Sequence, residues 1–398
     1  MRILLTANAS YEPPRGGATR SNLIWLDHLA SHGHECRIVS GAAGEGAELR
    51  FHESIAVMAV EEPVRRVQIL RQQICEFRPD WVLVSSEDLG HSLLREAHHS
   101  ARGRVVYLAH TPQFYPFGPA SWIPDRHAAE LAAQSAGIVA IGRHMAEYIE
   151  RELGRHVEVI HPPIYRTGPI ESPPDDGLIT MINPCAVKGI SIFLSVAERL
   201  PHRKFGLVPG WGTTAGDRRA LERLPNVQFL PNARRIEDVL AKTRVLLMPS
   251  LWYEGFGLIV MESMLRAIPV VSSNSGGLQE AKRGTGYVIP VRTIERYQPV
   301  FDEHAMPKPV VPDNDPAPWV AAIEELLTDI AAYRRESEAS RVVAEKFVAG
   351  LDPGDMERFL MGLRPREAAR AERPTIETLS PAKRALLLER LHKRRLGR

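Results

Sequence analysis

The sequence of 398 residues is poor in cysteine and has no long apolar run, and each absence excludes a class of protein. Its three cysteines, Cys36, Cys75 and Cys185, lie far apart without the spacing of zinc ligands or of a disulfide framework, which favours a reducing compartment. No stretch approaches the ~20 apolar residues of a membrane span. The apolar run within residues 1–8 is too short for a signal peptide and predicts a first strand. We therefore expect a cytoplasmic protein.

The bulk composition is that of an ordinary globular protein. Hydrophobic residues make up 44% of the chain, charged residues make up 25%, and the net charge is only +2. This charge gives no reason to expect a nucleic-acid partner. The length is sufficient for two domains, each with a large core.

Strand patterns alternate with helix patterns along the chain, which predicts α/β architecture with parallel, doubly wound sheets. A proline- and glycine-containing connector at 165–177 separates two such halves, 1–164 and 178–337. Two domains of this kind facing each other place a cleft at the carboxyl ends of both sheets, where ligands bind in open α/β folds. The first half contains five clear apolar runs, which lie at residues 3–6, 35–40, 81–84, 105–109 and 137–140.

The most informative segment is residues 249–264, which follows the apolar run 245–248. Gly255 and Gly257 fall where the strand gives way to a predicted helix, and free N–H groups at a helix N-terminus can face an anion. Glu254 precedes this position, and Glu262 follows after seven intervening residues. Two carboxylates that flank a phosphate-binding turn suit a sugar nucleotide, because one can hold sugar hydroxyls and the other ribose hydroxyls.

This segment resembles the Glu-x7-Glu motif of retaining GT-B glycosyltransferases, specifically family 4 (glycosyltransferase group 1). The resemblance extends upstream to residues 226–230 and downstream to 267–272 and 276–280, and it covers most of residues 1–360 in order. It implies two Rossmann-like domains facing across a cleft, with the acceptor side in the N-terminal domain and the donor nucleotide in the C-terminal domain. It further implies that helices in residues 338–363 return to the N-terminal domain.

The resemblance also implies roles for individual residues. Glu254, Lys188 and His110 are expected at the reacting sugar, with Lys188 neutralising the leaving diphosphate. One departure is Asn183, which stands where the family usually has an arginine, so another basic residue or backbone amides must supply that charge. The donor is expected to contact a set of residues in both halves, namely Gly16, Gly17, Lys188, Leu230, Gly255, Phe256, Gly257, Leu258 and Glu262.

The reaction implied is transfer of a sugar from a nucleoside diphosphate to an acceptor hydroxyl, with retention of configuration. No metal and no cofactor are expected, because Lys188 and helix N-termini supply the positive charge that a divalent cation supplies in other transferase folds. The acceptor is a small molecule, a carrier-bound group or a lipid, in specialised-metabolite, glycolipid or polysaccharide synthesis. The aromatic residues at 114–117 form either an acceptor wall or a packed loop. Two alternative functions are a GT-B sugar-nucleotide epimerase and a non-catalytic accessory protein.

The C-terminal segment 364–398 differs in composition from the rest of the chain. It contains eleven Lys/Arg and four Glu, a net charge of about +7 against +2 for the whole chain. Ser380 and Pro381 are typical of a helix start, and apolar residues from Leu386 to Leu391 then predict a short amphipathic helix. This helix is open to three interpretations: docking to a protein partner, peripheral association with an anionic membrane, or an inert tail.

Overall fold

The computed structural model describes residues 1–14, 16–42, 46–165, 173–231 and 235–366. The predicted amphipathic helix at 380–391 lies outside the described residues. Within them, the predicted α/β architecture with two mainly parallel sheets is confirmed.

The N-terminal sheet has eight strands in the order β3-β4-β2-β1-β5-β6-β7-β8, parallel except for the antiparallel edge pair β3–β4. Central strand β1 is straddled by neighbours on both sides, and its residues Ile3, Leu4 and Leu5 are fully buried. Leu23, Leu26 and Leu29 form the buried face of the first helix, as the helical spacing predicts. The strands are β1 (Arg2–Ser10), β2 (Glu35–Gly41), β3 (Ala47–His52), β4 (Ile55–Val60), β5 (Trp81–Ser85), β6 (Val105–Ala109), β7 (Gly137–Ala140) and β8 (Glu158–Val159), and the helices are α1 (Gly17–Ser31), α2 (Pro63–Phe77), α3 (Ser92–Ser100), α4 (Arg126–Gln134) and α5 (Arg143–Leu153).

The C-terminal sheet has six parallel strands in the order β11-β10-β9-β12-β13-β14. Central strand β12 is buried along its whole length, as expected for a strand covered on both faces. The strands are β9 (Leu178–Ile182), β10 (Phe205–Val208), β11 (Val227–Phe229), β12 (Thr243–Met248), β13 (Val270–Ser273) and β14 (Val288–Ile289), and the helices are α6 (Ile190–Arg199), α7 (Ala215–Leu221), α8 (Glu237–Leu240), α9 (Leu258–Met264) and α10 (Leu278–Lys282).

The proline-rich stretch after β14 contains a small antiparallel hairpin of β15 (Tyr297–Phe301) and β16 (Pro307–Pro309). Three helices follow, α11 (Ala317–Thr328), α12 (Ile330–Ala349) and α13 (Asp355–Gly362). Phe347 of α12 stacks on Phe256, and Met356 and Leu360 of α13 are buried in the same apolar core as the N-terminal sheet. The chain therefore returns to the N-terminal domain through α12 and α13.

The two domains contact each other directly. The carboxylate of Glu280 in α10 accepts hydrogen bonds from the backbone N–H groups of Arg143 and His144, at 2.9 and 2.8 Å, and so caps α5 of the other domain. Phe256 packs beside His161 of the N-terminal domain, with ring centroids 5.1 Å apart. One apolar core thus continues from the N-terminal sheet into the C-terminal domain. None of the helices in the described residues is both long and apolar enough to cross a membrane.

Candidate functional site

Lys188 and Glu254 lie together because the strands that precede them are neighbours. Strands β9 and β12 pair in parallel, so the loops at their carboxyl ends emerge side by side. Gly189, with φ 83°, lets these loops touch: a Cβ there would stand 1.9 Å from the carbonyl oxygen of Pro249. A residue other than glycine at position 189 would therefore separate the two loops.

The Lys188 ammonium lies 2.5 Å from Oε1 of Glu254, and both side chains are mostly buried. The same oxygen accepts a hydrogen bond from the Ser250 hydroxyl. Lys188 also lies over the ring of Trp252, with Nζ 4.4 Å from the centroid. Water screens the two charges only weakly in such surroundings, so each acts strongly on a charged or polar group that binds beside it.

The turn after Glu254 presents free backbone N–H groups. The amides of residues 255–259 donate to no backbone carbonyl among the described residues. The turn is held from behind by Gly277, whose N–H donates to the carbonyl of Glu254 at 2.8 Å. Gly257 takes the left-handed conformation, with φ 101°. Phe256 points the other way, into the core against Phe347, so only its backbone is available to a donor.

Glu262 is buried in α9 and spans the cleft to α1. Its Oε1 lies 2.7 Å from Nη2 of Arg20, whose side chain is 40% exposed. Burial raises the pKa of the Glu262 carboxyl, and the Arg20 charge opposes that shift. Arg20 is thus a cation at the cleft in addition to Lys188.

The glycine turn faces the same region from the N-terminal domain. Gly16, with φ 89°, is the N-cap of α1. A Cβ on Gly17 would lie 3.1 Å from the Leu258 side chain of α9. The first turn of α1 and the first turn of α9 therefore meet, which brings the predicted donor residues of the two domains together.

His110 is buried at the end of β6 with a defined tautomer. Asn22 donates from Nδ2 to the Tyr11 hydroxyl, so its Oδ1 faces His110 and accepts from Nε2 at 2.8 Å. The lone pair then lies on Nδ1, which is buried and has no hydrogen-bond partner among the described residues. Burial lowers the pKa of His110 to about 3, so the ring is neutral at neutral pH. Nδ1 can therefore accept a hydrogen bond from a hydroxyl.

Sequence reasoning missed Glu87, which lies between His110 and the glycine turn. Strands β1, β5 and β6 are adjacent, and the Gly16 turn, Glu87 and His110 follow their carboxyl ends in that order. Oε2 of Glu87 is buried without a partner among the described residues, and burial raises the pKa of this carboxyl to about 7. The signal in the sequence was an acid two residues after the buried strand β5, at the edge where ligands bind.

Leu230 and Asn183 support the site less directly. Leu230 packs with Val208 and Val239 in a small apolar cluster beside β10. Asn183, with φ 56°, accepts at Oδ1 from the N–H of Gly212 at 2.9 Å. It therefore shapes the loop after β10 and contributes no positive charge.

Three indole rings and a phenol form a chain of contacts that begins at Trp252, the ring beside Lys188. Trp252 lies 6.2 Å from Trp122 and 5.5 Å from Trp211, and Trp122 lies 5.5 Å from Tyr297 of the hairpin, between ring centroids. Of the aromatic residues after His110, Tyr115 and Phe117 are buried, so the packed-loop interpretation holds for them. Phe114 is half-buried and packs edge-on against Trp122, with ring centroids 5.3 Å apart, so this member of the run belongs to the aromatic cluster around Trp122, which the sequence did not single out.

Comparisons with known proteins give the family of each half of the chain. The family Glycosyl transferases group 1 matches residues 177–329, and Glycosyltransferase Family 4 matches residues 15–166. No curated protein matches the chain.

Solved structures share the fold at low sequence identity. Sucrose-phosphate synthase from Thermosynechococcus elongatus has a TM-score of 0.70 and 15% identity, covering 91% of this chain and 99% of that one. HepE from Anabaena in complex with UDP and glucose has a TM-score of 0.66 and 17% identity, covering 90% and 99%. The trehalose-6-phosphate synthase OtsA has a TM-score of 0.63 and 13% identity, covering 92% and 100%. With both halves matched and the two-domain fold shared, the chain belongs to the group 1, family 4 glycosyltransferases of GT-B fold.

Proposed function

We propose that this glycosyltransferase moves a sugar from a uridine diphosphate donor to an acceptor hydroxyl with retention of configuration. The observation that carries the proposal is the Lys188–Glu254 pair, set where the carboxyl ends of β9 and β12 meet. The choice of UDP is supported by HepE, whose structures hold UDP and UDP-glucose.

The donor lies beside the point where the first turns of α1 and α9 meet. Its diphosphate is placed on the Lys188 ammonium and on the free amides at 16–17 and 255–258, which face the cleft from both domains. Glu254 and the Nδ1 lone pair of His110 accept hydrogen bonds from the sugar hydroxyls. Glu262 accepts from the ribose hydroxyls, with Arg20 beside it.

Catalysis follows from where charge develops. As the bond between the anomeric carbon and the diphosphate breaks, negative charge grows on the leaving oxygen, and Lys188 with its neighbouring amides stabilises it. His110 is neutral at neutral pH and donates its ring proton to Asn22, so it holds a hydroxyl rather than protonating one. The acceptor proton passes to the departing phosphate oxygen on the same face, which makes a separate side-chain base unnecessary and leads to retention.

The acceptor enters from the N-terminal side of the cleft. Glu87 offers a carboxyl beside the glycine turn, and Trp122 offers a ring close to Trp252 and Lys188. A carboxyl suits an acceptor hydroxyl, and indole rings suit the apolar face of a sugar ring or of an aglycone. This combination favours a hydroxyl-bearing acceptor with an apolar face, whether it is free, carrier-bound or lipid-linked.

The test is a panel of sugar nucleotides, with nucleotide release measured in the presence and absence of candidate acceptors, and with NMR of the anomeric proton in the product. We expect release from a UDP-sugar and an α-linked product from an α-linked donor. Conversion of the donor without nucleotide release indicates an epimerase. Failure to bind any sugar nucleotide indicates an accessory protein, and an inverted product contradicts the retaining mechanism.

Lys188→Ala separates binding from chemistry. Because the leaving-group charge is larger in the transition state than in the bound donor, we expect kcat to fall by at least about 100-fold, with a smaller rise in the donor KM. Ser250→Ala is the matched control, since it removes a neutral hydrogen bond to the same Glu254 oxygen and leaves the charges in place. A change confined to KM in Lys188→Ala would reduce the lysine to a binding contact.

A further inference from the structure

Three side chains with metal-binding atoms converge on the N-terminal domain, far from the cleft. His28 lies in the last turn of α1, His32 is the C-cap residue that follows the helix, and Glu357 reaches them from α13. Their ligand atoms all lie within 4.8 Å of one another. His28 is 11 residues after Gly17, about 17 Å along the helix from the glycine turn, so this cluster does not touch the donor site.

One distance in the cluster matches that between two ligands of a tetrahedral ion, and the His28 and His32 rings, whose centroids lie 4.0 Å apart, must turn apart for both to bind it. Nε2 of His28 lies 3.4 Å from Oε2 of Glu357. Two ligands bound at about 2.0–2.1 Å to a tetrahedral zinc ion stand roughly 3.4 Å apart. Nε2 of His28 is buried and makes no hydrogen bond within the described residues, so its contact with Glu357 is a long polar contact that an ion could bridge.

Surrounding hydrogen bonds orient the other two ligands. Nδ1 of His32 lies 2.8 Å from the carbonyl oxygen of His28 and donates to it, which leaves the lone pair of His32 on Nε2. The nitrogen of Met1 donates to Nδ1 of His34, so Nε2 of His34 carries the proton and donates to Oε1 of Glu357 at 2.8 Å. Glu357 is thus held by one oxygen and offers the other to a metal, as outer-shell partners do in known sites.

We propose that His28, His32 and Glu357 form a zinc site that fastens the returning helix α13 to α1. Two histidines four positions apart at the C-terminus of a helix, with a carboxylate from another element, form a His₂Glu set, and His32 is exposed, so water completes the coordination. The ion adds a bond between residues more than 320 positions apart in the chain. The ion stabilises the packing of α13 against α1 and takes no part in sugar transfer.

The experiment uses the full chain without a histidine tag, stripped with a chelator and titrated with zinc against a colorimetric competitor at pH 7.5. We expect one zinc ion per chain, together with a rise in the melting temperature on zinc addition. Cobalt in place of zinc should give the visible absorption bands of a tetrahedral site. Absence of stoichiometric binding in this protein would overturn the proposal.

Variants locate the site. The double variant His28→Ala, His32→Ala should lower zinc affinity by at least about 100-fold and abolish the thermal shift, and Glu357→Gln, which keeps the shape of the side chain, should weaken binding by at least about tenfold. His202→Ala is the matched control, because His202 also lies beside a glutamate, Glu324 at 3.1 Å, but outside the proposed ligand set. Equal loss in the control, or unchanged binding in the double variant, would place zinc elsewhere and overturn the proposal. If the double variant is unfolded, Glu357→Gln decides alone.

Discussion

The Lys188–Glu254 pair has consequences for how a donor binds. The Lys188 ammonium and the Glu254 carboxylate lie 2.5 Å apart and neutralise each other, so a bound diphosphate must share the lysine with this carboxylate. The lysine has three N–H donors, of which one is used by Glu254, so the others are available to a diphosphate. Glu254 likewise accepts from Ser250 and Lys188 through Oε1 and keeps Oε2 for a sugar hydroxyl. The pair therefore orients the two groups before the donor arrives, which is the property that makes charge stabilisation effective.

Glu262 gives the most direct test of nucleotide binding. Charge-assisted hydrogen bonds contribute roughly 1.5–3 kcal/mol, so Glu262→Ala should weaken UDP binding by about tenfold or more, as measured by calorimetry. The control is Arg20→Ala, which removes the partner of Glu262 and keeps the carboxylate. If ribose is the ligand of Glu262, the two variants differ, because only the first removes an acceptor. Unchanged UDP affinity in Glu262→Ala would remove this residue from the donor site.

Glu87 predicts a pH dependence of stability. Its pKa is raised from 4.5 to about 7 in the folded protein, so between these pH values the folded state holds a proton that the unfolded state has lost. The free energy of unfolding therefore falls as the pH rises from about 4.5 to 7, and the whole decrease is about 3 kcal/mol. Glu87→Gln, which is always neutral, should match the wild type near pH 4.5 and exceed it by up to that amount above pH 7.

Denaturant unfolding at several pH values measures this difference. Glu48→Gln is the control, because this exposed carboxylate lies on the edge strand β3 beside Arg50 and its neutralisation should not produce a gain that grows with pH. A constant difference between wild type and Glu87→Gln across the pH range would show that the pKa of this carboxyl is the same in the folded and the unfolded protein, and would contradict the prediction.

At the scale of elements, the capping of α5 by Glu280 links the two domains. Its carboxylate accepts from two N–H groups at the start of a helix in the other domain. Glu280→Ala should lower the unfolding free energy by about 1–2 kcal/mol and loosen the contact between domains. The matched control is Glu62→Ala, since Glu62 caps α2 through the N–H groups of Val64 and Arg65 within a single domain.

Calorimetry distinguishes the two effects. Both variants should have a lower melting temperature. Only Glu280→Ala should broaden or split the transition, because it removes a bond between domains. Transfer activity should also fall more in Glu280→Ala, since α5 and α10 flank the cleft from opposite domains. Identical melting profiles for the two variants would show that the Glu280 cap contributes no more to the contact between domains than an ordinary cap contributes within one domain.

The sequence alone predicts the elements that have a strong local apolar pattern. It does not predict the elements and contacts that depend on residues far away in the chain. Apolar residues alone predict the buried strands β1, β5, β6 and β12 and the helix around Trp319. The edge strand β3 does not, because its Leu49 and Phe51 are more than 60% exposed and give no buried face. Glu254, Glu262 and Lys188 were found through one motif and its family. The Arg20–Glu262 and Glu280–α5 contacts join residues more than 130 positions apart, which no local spacing encodes.

At the scale of the whole molecule, one apolar core runs through both domains and the returning helices. It includes Leu246 and Phe256 of the C-terminal domain together with Leu360 of α13. Such continuity predicts that closure of the cleft is limited to small adjustments around the Lys188–Glu254 pair and the glycine turn. The chain beyond α13 remains in contact with the N-terminal domain up to Arg366, whose N–H donates to Gly103 at 2.8 Å.

The C-terminal segment gives the last prediction, and Arg366 sets its boundary. Residues 367–398 hold nine Lys/Arg and four Glu, so their removal takes away a net charge of about +5. We expect deletion of 367–398 to leave the melting temperature and transfer to a small acceptor unchanged. Deletion of 364–398 should cost about 1 kcal/mol more, because it also removes the hydrogen bonds of Arg366 to Gly103 and Ala133.

Assays with a small soluble acceptor, an acceptor in anionic vesicles and a carrier-bound acceptor then distinguish the three interpretations of this segment. If it docks on an anionic membrane, the 367–398 deletion should impair transfer only to an acceptor in anionic vesicles, and added salt should impair the full chain in the same way, because exposed charges are screened beyond ~8–10 Å. If it docks on a carrier protein, the defect should appear only with the carrier-bound acceptor. An inert tail leaves all three assays unchanged. Unfolding of the 367–398 deletion would instead mean that the segment packs into the body of the protein, since a free tail contributes nothing to the unfolding free energy.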